Sequence, residues 1–428
     1  MKTFDVIASN PPFQDRQKRN TTPHKVWIDF TKKAMGSLNE GGKLLWITPQ
    51  SWCSPSSKIL KYFKKYKVHY VDLDTGTSFP DIGSTFSDYL IENTPDRSFS
   101  STVTKNSSSF GISFDDDTFY LPNDLCQEAY EIHKKVIFEP SEKLDVKYDY
   151  VTCHNIILKK GNSLSKRFML PDHINPVFHT NRQVWYSSRR QSFAAQPKVM
   201  WTRSGYTHPF LDLGIHGGTD MCYYVTVENE EEGRHLLHNL SSNLFKYIFA
   251  TGRWSGFGNE KVFKSLPNIL RDASYSLEEL CGQYGLSKHH VDYINNYFSP
   301  PITTKQKKSK TKQKKSKTKT KERVENLGEV FTPPAKIRQM LGKLPESDWG
   351  KKKKFLEPCC GNGNFLVEIV KHKMSKGSTP EEALQTTFGV DIMDDNIHES
   401  RKRLLSVTGA SYQQLVEKNI TQGNFLEI

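Results

Sequence analysis

The chain of 428 residues is too long for one small domain, and a hydrophobic content of 36% with 12% aromatics is enough to build two or three cores. No apolar run approaches the ~20 residues that cross a membrane, and the opening MKTFDVIASN lacks the apolar segment of a secretory signal, so an intracellular protein without membrane contact is expected. The formal net charge is +13, but ten lysines lie between Lys305 and Lys321, and setting those aside leaves +3, which excludes a uniformly basic surface.

The seven cysteines, Cys53, Cys126, Cys153, Cys222, Cys281, Cys359 and Cys360, are scattered and form no CxxC pair. Neither a disulfide framework nor a metal site is expected from that spacing.

In chain order, FDVIA predicts a buried strand, and the residues after it read SNPPFQ. Two adjacent prolines can neither donate to a sheet ladder nor sit inside a helix, so this stretch is a rigid loop at a strand end. A helix is expected from about Lys25 to Leu38, then a Gly-Gly turn and a buried strand in GGKLLWITP. VHYVDLDTG and FSDYLIEN read as further short strands, and the alternation suggests a parallel sheet with helices.

From about residue 100 to 300 the pattern changes to turns and short strand-like runs such as KVMWT and MCYYVTV, followed by a helical stretch in EEGRHLLHNLSSNLFKYIFATG. This reads as a separate α+β domain. The segment TTKQKKSKTKQKKSKTKTKERV, residues 303–324, has no apolar residue before Val324 and is expected to be a linker. After it, FTPPAKIRQMLGKL predicts a helix with proline in its first turn. KKKKFLEPCCGNGNFLVEIVKHKM reads as strand, glycine-rich loop and helix, TTFGVDIMDDNIHESRKRLL as strand, acidic end and helix, and ITQGNFLEI as another strand end.

Gly361 and Gly363 let the backbone pass close beneath a ligand, and Asp391 closes the next strand, where an acid accepts hydrogen bonds from ribose hydroxyls. A lone GxG is also an ordinary tight turn. Together, however, these segments resemble the amino-type (adenine-N6 or cytosine-N4) DNA methyltransferases. The residues that carry the resemblance are Phe331, Thr332 and Pro333, the run from Glu357 and Pro358 through Gly361 and Gly363 to Phe365, Asp391, and Asn424 with Phe425. In that family such positions bind S-adenosyl-L-methionine. Asn10, Pro11, Pro12 and Phe13 match its catalytic motif.

The resemblance implies methyl transfer to the exocyclic amine of a base flipped out of double-stranded DNA. The amide oxygen of Asn10 and the carbonyl of Pro11 are the expected acceptors for the amine, and Phe13 the stacking face. Phe79 is the candidate for a second aromatic wall, with Phe86 as the other choice. Adenine is favoured, because Asn-headed, aromatic-ended loops resemble the adenine enzymes, and a cognate restriction endonuclease is an implied partner.

In the common arrangement of that family the cofactor half precedes the catalytic half. Here the order is reversed, so the resemblance implies a Rossmann-like α/β methyltransferase domain that is circularly permuted, with a large α+β target-recognition insert. The expected boundaries are 1–100 for the catalytic half, 101–300 for target recognition, 301–325 for the Lys-rich linker and 326–428 for the S-adenosylmethionine-binding half. Within the insert, Trp185, Tyr186, Ser187, Ser188, Arg189 and Arg190, and Arg253 with Trp254, mix cations with aromatics as nucleic-acid contacts do. The alternatives are an RNA or protein-glutamine methyltransferase using the same loop, and an inactive DNA-binding module. Pro358-Cys359 is similar to the nucleophilic Pro-Cys of cytosine-carbon methyltransferases but falls at the wrong strand end for that role.

Overall fold

The structure, a computed structural model, describes residues 3–14, 25–55, 57–79, 85–96, 100–114, 116–149, 152, 164–165, 168–180, 183–203, 208–254, 260–299 and 330–427. The expected linker and Cys153 lie outside them. Contacts divide the chain into two compact units, one of Met1–Trp52, Lys58–Asp115 and Lys308–Ile428, the other of Cys53–Ser57 and Asp116–Lys307.

The first unit is built on a mixed sheet of nine strands: β1 (Phe4–Ser9), β2 (Leu38–Pro49), β3 (Lys67–Asp72), β4 (Phe86–Glu92), β5 (Ser101–Lys105), β6 (Ser108–Ile112), β7 (Phe355–Glu357), β8 (Thr387–Asp391) and β9 (Ile420–Gln422). Their order across the sheet is β9-β8-β7-β1-β2-β4-β3-β5-β6. β1 pairs in parallel with β7 on one side, Val6 opposite Phe355, and with β2 on the other. β8 and β9 continue the parallel run beyond β7. The centre is buried on both faces, so β1 and β2 read as unbroken apolar runs, with Val6, Ile7, Ala8, Leu44, Leu45, Trp46 and Ile47 all sealed from solvent.

The sheet is not purely parallel, as the alternation had suggested. β4 runs antiparallel between β2 and β3. A short 3₁₀ turn at Thr75–Ser78 follows β3, and β4 pairs antiparallel with both of its neighbours.

Helix α1 (Val26–Gly36) follows the first loop. α2 (Ile59–Phe63) precedes β3, and α3 (Pro334–Leu341) begins with proline at its first position, where no amide donor is needed. α4 (Asn364–Ser375), α5 (Pro380–Gln385), α6 (Asp394–Thr408) and α7 (Gln413–Asn419) fill the connections among β7, β8 and β9. One apolar cluster joins Ile337, Met340 and Leu341 of α3 to Val6, Ala8, Leu45 and Phe355 of the sheet. A second joins Leu366 and Val370 of α4 to Leu404 and Ile420. The buried ammonium of Lys336 fixes α3 to the sheet through Asp72, 2.9 Å away, and Asp88, 2.5 Å away.

The second unit carries a three-stranded antiparallel sheet, with Pro197–Thr202 between Phe210–Leu213 and Cys222–Thr226. A four-stranded sheet holds Gly217–Gly218, Asn175–Phe178, Val184–Ser187 and Leu164–Ser165. Helices cover Gln127–His133, Glu230–Leu240, Asn243–Thr251, Leu277–Gln283 and Lys288–Phe298. The single helical stretch expected around Glu231 to Gly252 is two helices, because Ser242 takes an extended backbone between them.

Candidate functional site

β7 continues to β8 and β9 on one side of the sheet, whereas β1 continues to β2 on the other. Sequence direction therefore reverses between β7 and β1, and in open α/β sheets ligands bind at the carboxyl ends of the strands flanking such a point. A cavity of about 460 Å³ lies there, within the range of small-molecule sites. Asn10 and Phe13 from the loop after β1, Glu357 from β7, Asp391 from β8 and Phe425 from the loop after β9 all line it.

On the β1 side, Asn10 donates through its side-chain nitrogen to the carbonyl of Val330, 3.2 Å away. That bond orients the amide, and its buried oxygen has no hydrogen-bond partner among the described residues. Pro11, Pro12 and Phe13 also line the cavity. The Phe13 ring packs 5.2 Å from Phe86, which in turn meets Phe79 edge-on at 5.3 Å. Phe79 and Phe86 belong to the apolar cluster beneath the sheet and do not line the cavity.

On the β7 side, Gly361 has φ +50° and donates its N–H to the Asp391 carboxylate at 2.8 Å. The other carboxylate oxygen of Asp391 accepts from the Met393 amide at 2.9 Å and from Asn396 at 3.3 Å. Asp391 thus shapes the glycine loop as well as facing the cavity. A side chain at Gly361 would meet the ring of Phe331 at 3.1 Å. Gly363, with φ +82°, precedes α4 and packs on Ser400 rather than lining the cavity. Ser400 donates to the Gly361 carbonyl at 2.9 Å, bracing the loop from below.

Thr332 is buried in the cavity wall, its carbonyl accepting from Asn364 at 2.8 Å and its hydroxyl without a partner. Pro333 caps α3 outside the cavity. Pro358 and Phe365 line it, Phe365 with most of its ring in the core. Asn424 lines the rim, but its side chain serves its own turn, donating to Glu427 at 2.7 Å and accepting from the Leu426 amide. Phe425 is buried 5.8 Å from Phe30 of α1.

Among the described residues, four buried oxygens in this wall lack hydrogen-bond partners: those of Asn10, Thr332 and Asn362, and one oxygen of Glu357. Buried polar atoms are almost always paired, so a cluster of such atoms around one cavity marks a place for a polar ligand. Glu357 is 2% exposed, and burial holds its carboxyl well above the usual range, with Asp391 adding to the rise and a hydrogen bond from Ser9 opposing it.

Several contributors carried no motif. Ser9 and Asn364 act through hydrogen bonds to groups far along the chain, Asn396 through one to Asp391, Asn362 lines the cavity, and Asp29 and Phe30 enter from α1. Only Ser9 had a signal, as the last residue of a buried central strand beside Asn10.

In the second unit, Trp185 is buried and stacked on His179, and Trp254 donates to the Leu121 carbonyl, whereas Ser188, Arg189 and Arg190 are exposed. Ser187 is buried, and Tyr186 and Arg253 are half-buried. Among the described residues no group of His, Cys, Asp and Glu has the makings of a metal site, and no helix is long and apolar enough to cross a membrane.

Residues 1–81 match the family model of the Eco57I restriction-modification methylases. That segment contains β1 and the loop of Asn10 to Phe13. No curated protein matches the chain. Among solved structures, the chain is similar to the type IIL restriction-modification enzyme MmeI in complex with DNA, with 10% identity over 70% of this chain and 55% of that one and a TM-score of 0.31. For the type IIG restriction endonuclease BpuSI the values are 10%, 64%, 44% and 0.24. For the ATP-dependent type ISP enzyme LlaBIII bound to DNA they are 9%, 68%, 30% and 0.33. The chain therefore spans about half the length of these enzymes, or less.

Proposed function

We propose that the chain is a DNA methyltransferase of the restriction-modification type, moving a methyl group from S-adenosyl-L-methionine to the exocyclic amine of a flipped base, adenine N6. The observation that carries this reading is the meeting of Asn10 with Glu357, Gly361, Asp391 and Phe425 around one cavity, although more than 340 residues separate the first from the others. The family match of residues 1–81 supports the methylase class independently.

The unpartnered oxygens of Thr332, Asn362 and Glu357 in the wall fit the hydroxyl and ammonium donors of such a cofactor. Asp391, Glu357, Thr332 and Phe425 would hold it, and when bound it supplies an electrophilic sulfonium methyl. The remaining chemistry belongs to this chain. An exocyclic amine is a poor nucleophile, because its lone pair is delocalised into the ring. The free amide oxygen of Asn10 and the carbonyl of Pro11 are suited to accept both of its N–H groups and shift the nitrogen toward tetrahedral geometry. Proline at 11 and 12 removes backbone freedom, so these acceptors keep their aim. Phe13, braced by Phe86, offers a face for the base. Positioning of this kind supplies much of the rate.

The strand order supports a domain assignment. Counted from Phe355 to Gln422 and then onward from Phe4, the first five strands lie in the order 3-2-1-4-5, that of a doubly wound fold. We accordingly read residues 1–100 and 326–428 as catalytic and cofactor halves of one circularly permuted Rossmann-like domain, and 101–300 as the target-recognition insert, whose first two strands, β5 and β6, pair at the edge of that domain's sheet.

Incubation with labelled S-adenosylmethionine and duplex DNA, followed by digestion to nucleosides and mass identification, tests the proposal. The expected product is N6-methyldeoxyadenosine. Label on RNA or protein instead would refute the substrate, and cofactor binding with no transfer to any of the three would identify an inactive module.

A further inference from the structure

The hydroxyl of Ser9, at the end of β1, lies 2.5 Å from one oxygen of Glu357, at the end of β7, and 2.8 Å from the thiol of Cys359. Ser9 is sealed from solvent, and the second oxygen of Glu357 has no hydrogen-bond partner among the described residues. The thiol of Cys359 in turn lies 3.8 Å from the Asn10 carbonyl. Three side chains outside the backbone ladder thus cross-link the two strands at the point where the cavity opens.

We propose that Ser9 is a positioning residue for cofactor binding, acting through Glu357. Its hydroxyl turns one carboxylate oxygen toward β1 and leaves the other for the cationic cofactor. This rests on the cofactor reading above.

A serine hydroxyl has one proton to give, and a carboxylate accepts only. When Glu357 is ionised, Ser9 therefore donates to it, and the single thiol proton of Cys359 is left for Ser9 or the Asn10 carbonyl. Burial, and the neighbouring Glu357 carboxyl, push the thiol of Cys359 up, so it stays protonated and available as a donor. The titratable groups facing Glu357 are Asp391 at the end of β8 and Cys359 and Cys360 on its own loop. Asp391 opposes ionisation of Glu357, and Ser9 favours it. A bound sulfonium or ammonium group would also favour it, so the serine and the ligand cooperate to charge the same carboxyl. A plain structural serine would have no such link to the ligand.

The test is a double-mutant cycle read by equilibrium binding of S-adenosylmethionine to the full chain between pH 5.5 and 9. Ser9→Ala is expected to weaken binding about tenfold or more at pH 7, the scale of a lost hydrogen bond to a charged group. It should also move the pH midpoint of binding upward, because the bond that lowers the Glu357 proton affinity is gone. Glu357→Gln should flatten the pH profile, and adding Ser9→Ala to it should change affinity no further. Ser9→Cys, of similar size but a weaker donor, should fall between wild type and alanine, and it carries the test should the alanine variant fail to fold. Equal pH midpoints for wild type and the Ser9 variants, or effects of Ser9→Ala and Glu357→Gln that simply add, would overturn the positioning role while leaving the cofactor reading intact. Absence of binding by the wild-type chain at every pH would remove both.

Discussion

Replacing Gly363 by alanine probes the loop on which the cavity depends. Gly363 sits at φ +82°, a conformation that costs an L-residue about 1–2 kcal/mol. A Cβ there would lie 2.9 Å from the Ser400 hydroxyl and 3.0 Å from the Ser400 Cα. The hydroxyl can rotate, but the Cα belongs to α6 and moves only with that helix. Forced overpacking of this kind typically costs about 1–3 kcal/mol, which brings the expected loss to about 2–5 kcal/mol. Gly377 is an internal control, because it shares a positive φ of +91° yet a Cβ there would meet nothing within 4 Å. Gly377→Ala should therefore show the conformational cost alone, about 1–2 kcal/mol. Hydrogen exchange of the β7 and β8 amides at a series of urea concentrations reads the stability of the unit that contains both glycines. A Gly363→Ala variant no less stable than Gly377→Ala would refute the steric argument, and with it the claim that α6 braces the loop.

Three further outcomes follow from the site and from the second unit. Asn10→Ala should lower kcat for methyl transfer by roughly 10²–10³, the scale seen when one positioned polar group is removed from a reacting centre, with cofactor affinity little changed; transfer and binding assays on the same sample separate the two. Asp391→Ala leaves the Gly361 and Met393 amides without this acceptor and removes one partner of Asn396. The two amides belong to half-buried residues, so at the lower end of about 1–3 kcal/mol for each stranded donor it should destabilise the loop measurably in urea titration and abolish cofactor binding, whereas Asp391→Asn should retain part of both. In the second unit, burial pushes the Asp212 carboxyl up, but hydrogen bonds from His216 and Lys198 outweigh it and bring it down to about 2. A folded value below the unfolded one contributes stability above about pH 4 that is lost as pH falls toward 2, so acid unfolding of this unit should flatten in that window in Asp212→Asn.

The parts of the site legible in the amino-acid order are those whose physics is local. Paired prolines after FDVIA forbid both helix and sheet, and glycines between an apolar strand and an apolar-faced helix permit the positive φ seen at Gly361 and Gly363. The burial of β1 and β2 on both faces was likewise readable from their unbroken apolar runs. The reversal at β4 was not, because a period-2 pattern reports which residues are buried and not which way a strand runs. Phe79 illustrates the same boundary: an aromatic in a turn-rich stretch fits a cavity wall or a core equally well, and only packing on Phe86 assigns it.

What remained for the fold to decide was every contact between distant segments. Ser9 reaches Glu357 across 348 positions, and Asn10 is oriented by a carbonyl 320 positions away. No local preference encodes such pairs, since they exist only once parallel pairing of β1 with β7 brings two strand ends side by side. Residue type and spacing supplied the chemical parts, and hydrogen-bonded strand register set the distances between them.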